Sequence, residues 1–233
     1  SVHIIGVAGV GKSTLMESMI LDDVRHGEGM LVLDPHGDMA RRLLCLLPRE
    51  AMERVIYFSF NDPDWVPVWN PLHRDPHVPR IRLADELASA LVRGYPLFSY
   101  RLEHLLRHVF FGILHLPEAT LLDATKVIIR GPSESEQLRS RVLQAVNDSC
   151  AIHFWNHDFH AYTREDLAPC KMLLNRLLME ESVTEMLSRQ ASSFSLRRVM
   201  DDGMILLADL SAVGPEIGRV LANMMLSLSL IHI

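Results

Sequence analysis

A lysine and a hydroxyl that follow a glycine-rich turn form a combination suited to holding phosphate. Residues 6–13, GVAGVGKS, satisfy the spacing G-x-x-x-x-G-K-[ST] at every fixed position. Backbone N–H groups can converge on phosphate oxygens only where no Cβ blocks the approach, and Gly9 and Gly11 supply that freedom. The expected phosphate cradle is Gly6, Val7, Ala8, Gly9, Val10, Gly11, Lys12, Ser13 and Thr14. Lys12 would reach the outer phosphates of ATP, Ser13 would turn its hydroxyl to Mg²⁺, and Thr14 would make a further phosphate contact.

Magnesium in such a site takes support from an acidic residue at the end of another strand. Two carboxylates qualify. Asp209 ends the apolar run MILLAD, and Asp34 ends LVLD and opens the string DPHGD. Either could instead cap the turn or helix behind it, a common use of aspartate after a strand. Asp34-x-x-Gly37 also has the shape of a GTPase switch element. The guanine-reading N/T-K-x-D is absent, however, its nearest approximation being Ala124-Thr125-Lys126-Val127.

These groups need a scaffold. Val2 to Gly6 reads as a buried strand and Lys12 to Arg25 as a helix, with Leu15, Met19, Ile20 and Val24 at helical spacing. Met30 to Leu33 and Val55 to Phe58 read as further strands around a helix from Met39 to about Leu47. Such alternation predicts an α/β fold with a mainly parallel sheet. Residues 61–79, rich in Pro, Asp and Trp, form an irregular connection. Beyond it, helical periodicity recurs at Arg80 to Arg93, Tyr100 to His115, Glu134 to Cys150 and Arg164 to Met179. A buried strand then returns at Met204 to Asp209, followed by a helix from Glu216. The predicted organisation is an N-terminal core part over 1–79, a helical insertion over 80–200, and a return to the core over 201–227. The closing LSLIHI (228–233) matches the translation of a common transposon adaptor and is expected to be non-native.

Bulk composition narrows the setting. The 233 residues are 48% apolar, enough for a substantial core, and no uninterrupted run of 18 apolar residues predicts a membrane span. Three scattered cysteines without a CxxC pair favour a reducing compartment, so cytoplasm is the default expectation. A net charge of −6 gives no general attraction to nucleic acid, so any such contact needs a local basic surface.

Taken together, GVAGVGKSTLM, VLDPHGD, the NPL at Asn70-Pro71-Leu72 and the late ILLADLS resemble the HerA/FtsK superfamily of P-loop motors. Within it, the TraD/TraG-type coupling proteins of conjugation and type IV secretion and their HerA-like relatives are the nearest likeness. The resemblance implies a RecA-like P-loop NTPase core with an all-helical insertion. It also implies a homo-oligomeric, hexameric ring that passes DNA through its channel on ATP hydrolysis, with secretion or conjugation components as possible partners and an anchor at the inner membrane as a possible attachment. Carried over, Lys12 and Ser13 match the phosphate-loop lysine and metal-side hydroxyl, Asp209 the Walker B aspartate, and Asp34 the acidic residue of the DPHGE-like motif. Two departures stand out. Leu210 follows Asp209 where HerA-like relatives often carry the glutamate that polarises water, which makes Asp38 the alternative base. The sensor strand and a possible arginine finger would lie past residue 233, so this segment alone is expected to bind ATP more readily than it turns it over.

Other constellations carry less. Cys150, His153, His157 and His160 have a spacing compatible with zinc but sit among Phe154, Trp155, Phe159 and Tyr162, which favours an aromatic packing helix. His104, His108 and His115 read as a polar margin beside a core stripe. Met172, Met179, Met186 and Met200 read as core filler. The leading reading is an ATP-dependent DNA translocase. A nucleotide-dependent assembly or switch ATPase is the alternative from another class, and a small-molecule kinase or GTPase ranks third.

Overall fold

The computed structural model describes residues 4–7, 9–62, 64–65, 67–93 and 99–231. Its elements follow in the order α1 (Lys12–His26), β1 (Met30–Asp34), α2 (Asp38–Leu46), a 3₁₀ turn (Arg49–Arg54) and β2 (Val55–Ser59). Then come α3 (Arg80–Val92), α4 (Tyr100–Ile113), α5 (Leu121–Val127), α6 (Ser133–Ala145) and α7 (Ser149–His153). A π-helical turn (Phe154–Asp158) joins α7 to α8 (Phe159–Ala161). The chain closes with α9 (Arg164–Leu177), α10 (Glu181–Ser188), α11 (Leu196–Asp201), β3 (Ile205–Asp209) and α12 (Pro215–Leu230).

The chain divides into two compact units, one formed by Ser1–Trp65 with Ser195–Gly218, the other by Val66–Phe194 with Arg219–Ile233. In the first, β3 lies between β1 and β2 and is parallel to both. All five β3 residues are buried, which explains the uninterrupted apolar run ILLA: a central parallel strand is covered on both faces. Val24 of α1, Val32 of β1, Ala40 and Leu43 of α2, and Ile205 and Leu207 of β3 share one apolar core. The register aligns Asp34, Asp209 and Ser59 at the carboxyl ends of the three strands, the edge at which open parallel sheets hold ligands.

The strand expected over Val2 to Gly6 is not formed where it is described. Residues 2 and 3 lie outside the described residues, and 4–7 carry no strand, with Ile5 92% exposed. A strand persists only beside a partner that completes its ladder, and none of the described strands pairs with residues 4–7.

The second unit is helical among its described residues. Leu83, Leu87 and Leu91 of α3 are buried, as are Leu105, Leu106, Val109 and Phe110 of α4, at the i, i+3, i+4 spacing of facing helices. The helix expected over Glu134 to Cys150 is instead two. Asp148 breaks it because its carboxylate accepts from Ala151 N at 2.9 Å and caps α7. NPL is explained here as well. The Asn70 amide donates to Ala119 O (2.8 Å) and Gln190 O (3.0 Å) and accepts from Leu72 N, so one buried side chain fastens three segments.

The methionine expectation needs correcting. Met186 is fully buried, but Met172 and Met179 are 62% and 84% exposed, because α9 turns Leu173, Leu174 and Leu177 inward and Met172 lies off that stripe. No described helix is long and apolar enough to cross a membrane.

Candidate functional site

The phosphate-loop sequence forms a loop that enters a helix. Gly9 and Gly11 both adopt left-handed backbone, with φ of +83° and +86°, and a Cβ built on either would meet nothing within 4 Å. These are the conformations that only glycine adopts without strain. Gly11 is the N-cap of the 15-residue α1, which has no side-chain cap and no acidic residue in its first turn, leaving its N–H groups directed outward. Lys12 folds back over the loop and donates from Nζ to Gly6 O (2.8 Å) and Val7 O (2.7 Å). Val10, Ser13 and Thr14 are exposed. Ala8 lies outside the described residues. Open glycines, an uncapped helix N-terminus and a lysine beside them fit the phosphates of a nucleotide.

The carboxyl end of the sheet is differently built. Asp209 is fully buried, and each of its oxygens accepts two hydrogen bonds. Oδ1 takes Ser211 N (3.0 Å) and Ser211 Oγ (2.6 Å). Oδ2 takes the Tyr57 hydroxyl (2.9 Å) and Asn61 Nδ2 (2.9 Å), with Arg41 Nη1 at 3.6 Å. Burial pushes this carboxyl upward, but the two bonds from Ser211, the Tyr57 hydroxyl and the Arg41 charge outweigh it and hold Asp209 below the usual aspartate range. The same contact acts on Tyr57, whose phenol is raised by burial and by the neighbouring carboxylate. A buried, ionised carboxylate with donors on both oxygens fits a hydrated cation better than a bare one.

Gly37 shows how closely DPHGD packs on this group. Its φ is +80°, and a Cβ there would collide with Asp209 Oδ1 and approach Ser211 Oγ to 2.7 Å. Asp34 is buried and spends both oxygens on the backbone, accepting from His36 N and Ala40 N at 3.0 Å each, which is the turn-capping use weighed for it from the sequence. Asp38 opens α2 with an exposed side chain, and Arg41 links it to Asp209: while Nη1 faces Asp209, Nη2 reaches Asp38 Oδ1 and His36 O, both at 3.3 Å. Leu210 is buried and gives its N–H to Asp34 O, so the residue after Asp209 takes no part in the polar site.

The structure therefore gathers Asp34, Asp38 and Asp209 through one sheet edge and Arg41, while the bonds of Lys12 stay within its own loop. Sequence reading did not single out Arg41, Tyr57, Asn61 and Ser211. One signal was present for Asn61: Ser59 stands as far into β2 as Asp209 into β3, so a parallel register brings the polar end of β2 beside the carboxylate. Glu17 was missed too. It is buried on α1 and paired with Arg42 of α2 at 2.7 Å, which ties the phosphate-loop helix to the DPHGD helix. The described residues contain no group of three His, Cys, Asp or Glu side chains able to hold a metal ion.

The family model for the central domain of the helicase HerA matches residues 1–202. The chain belongs to the HerA central-domain family. Its match takes in the phosphate loop, DPHGD and the helical segment, and stops just before β3. Comparison with curated proteins and with solved structures returned no match. Membership in the HerA family makes this an ATPase-family domain of the HerA/FtsK type with a mixed α/β fold and a small parallel sheet.

Proposed function

We propose that this chain is the ATP-binding and hydrolysing domain of a DNA-translocating motor, working in a homo-oligomeric, hexameric ring. The observation that carries the reading is the HerA family match over residues 1–202, whose span includes both the open glycine loop and DPHGD. Gly6 to Thr14 would hold the phosphates, and Ser13 with Asp209 would hold Mg²⁺. Bound ATP supplies a phosphoanhydride whose hydrolysis drives movement of the ring on DNA.

The protein's own residues prepare that step. The two carbonyls holding Lys12 keep its ammonium beside the loop. Ser211, Tyr57 and Asn61 hold the Asp209 carboxylate ionised and immobile, so it needs little reorganisation when positive charge arrives. Asp38 is the general base. It is exposed, begins α2, and is oriented by Arg41, whereas Leu210 has no proton-accepting group. Coupling of the ring to conjugation or secretion machinery is the narrower form of the same proposal.

ATPase assays of the full-length protein with and without duplex and single-stranded DNA test the reading. DNA should stimulate hydrolysis, and Lys12→Ala should lower the stimulated rate by about a hundredfold or more. ATP binding without any DNA response at low salt would replace the motor with an assembly switch. A preference for GTP would point to a different nucleotide enzyme.

A further inference from the structure

Two of the histidines set aside in the sequence as a polar margin, His108 of α4 and His115 just beyond it, line a cavity in the helical unit. Its volume is about 540 Å³, within the range of small-molecule sites, and its walls come from the start of α3, one face of α4 and the start of α7. Arg80, Arg107, His108 and His115 line it together with the apolar surfaces of Ile81 and Phe111. Cationic and imidazole groups thus converge on a hollow that also has an apolar side.

The local acids are already committed. Asp148, on the same wall, caps α7 through Ala151 N, and Arg107 is ion-paired to Asp85. Arg80 uses only Nε, donating to Leu114 O at 3.2 Å, which leaves its terminal nitrogens for another acceptor. His115 Nδ1 lies 2.8 Å from Phe111 O, so its other ring nitrogen is the one left for a further partner. His108 lies flat on Phe154, with ring centres 4.0 Å apart and planes 6° from parallel, and its Nδ1 is buried without a partner.

The electrostatics agree with this geometry. Burial lowers His108 to about 4, with His104 and Arg107 pushing the same way and Asp158 and Asp148 opposing. His115 is lowered by burial and by Arg80 and Arg74, against the bond to Phe111 and the charge of Asp148. Arg80 is itself lowered by burial and by Arg74. Burial is the largest cause of each shift, so these groups line a partly dehydrated hollow.

We propose that this cavity binds a small organic anion, with a carboxylate or phosphate group on Arg80 and an apolar ring against Phe111 and Ile81. The site uses no residue of the phosphate loop and lies wholly within the helical unit. Its oxyanion would be accepted by Arg80 and the imidazoles, and its ring would occupy the side where no polar group competes.

Histidine Cε1–H resonances of the Lys12→Ala chain, in which the phosphate loop is disabled, provide the test during separate titrations with phenyl phosphate, benzoate and inorganic phosphate. Saturable shifts confined to His108 and His115, with either aromatic anion binding about tenfold or more tightly than inorganic phosphate, are expected. Preference between the two aromatic anions identifies the head group. Arg80→Gln should weaken binding about tenfold or more while leaving the His153 and His157 resonances in place. Alkylation provides a readout without any variant at the site: Cys150 lines the cavity, and the bound anion should slow its modification while exposed Cys45 reacts unchanged. Equal shifts at all histidines, unchanged binding in Arg80→Gln, or unprotected Cys150 at saturating phenyl phosphate would overturn the proposal.

Discussion

The two units bury polar groups of different kinds. All three buried carboxylates among the described residues, Glu17, Asp34 and Asp209, belong to the sheet unit. The helical unit buries Asn70, Thr120, Ser135, Ser227 and Ser229, all neutral, within a mass of leucine, valine and aromatic side chains. A buried charge costs several kcal/mol unless it is paired and hydrogen-bonded, so a fold that places three around a small sheet is arranged for something besides stability. The helical unit obeys the ordinary rule that burial follows hydrophobicity. Buried carboxylates are thereby concentrated in one unit and the larger apolar core in the other.

Truncation in the helical unit is the strongest way to sharpen that contrast. Phe110 of α4 is fully buried, and Phe110→Ala should cost about 3 to 5 kcal/mol. Trp69 and Trp155 are buried in this unit while Trp65 of the other is already exposed, so the change in tryptophan fluorescence during a denaturant melt follows mainly the helical unit. A loss under about 1 kcal/mol would mean the unit is not held by its apolar core.

A second test follows from the one strongly shifted imidazole. His108 is depressed to about 4 in the folded chain against an ordinary value near 6.5. Between those values the unfolded chain binds the additional proton, so stability falls as pH drops through this window and levels off below it. Allowing for solvent screening of this part-exposed ring, the loss attributable to the residue is about 2 kcal/mol. Melts of the parent and of His108→Gln, compared at pH 7 and pH 4, should show the parent losing more. Parallel losses would show that burial, with His104 and Arg107 beside it, does not depress this ring.

The sequence made some of these features legible and hid others for physical reasons. β1, β2 and β3 could be read because continuous apolar runs ending in Asp or Ser are what parallel strands require, and α1, α3 and α4 because their apolar spacing is strict. The ionised state of Asp209 could not be read, since it depends on Tyr57, Asn61, Ser211 and Arg41, which meet only after two strands and a helix are registered. The cavity under His108 was equally hidden, because three helices far apart in sequence supply its walls. The Val2 to Gly6 expectation failed where described because period and composition measure a residue's preference for a strand, while a strand's existence depends on its neighbour.

In the sheet unit, Gly37→Ala challenges the claim that DPHGD is fitted to Asp209. A side chain there must adopt φ of +80° and displace a carboxylate that is itself fixed by four donors. Strain and overpacking together should cost about 2 to 3 kcal/mol. Hydrogen exchange at the β3 amides reads this loss at the site of the clash, and unchanged protection would show that the turn relaxes freely.

The smallest expected effect tests the source of the charge at Asp209. Ser211→Ala removes the 2.6 Å donor to Oδ1 but leaves the backbone N–H of the same residue in place. A bond to a carboxylate contributes about 1 to 2 kcal/mol, and this one favours the ionised form. The folded-state pKa of Asp209 lies below its unfolded value. Its contribution is therefore fully present above the unfolded pKa and is lost as pH falls through the folded one. The variant raises the folded value, so the gap between parent and variant should be widest near neutrality and close as both carboxyls become protonated in acid. A gap of constant size across that range would mean that Ser211 contributes packing alone and that Tyr57, Asn61 and Arg41 keep Asp209 charged without it.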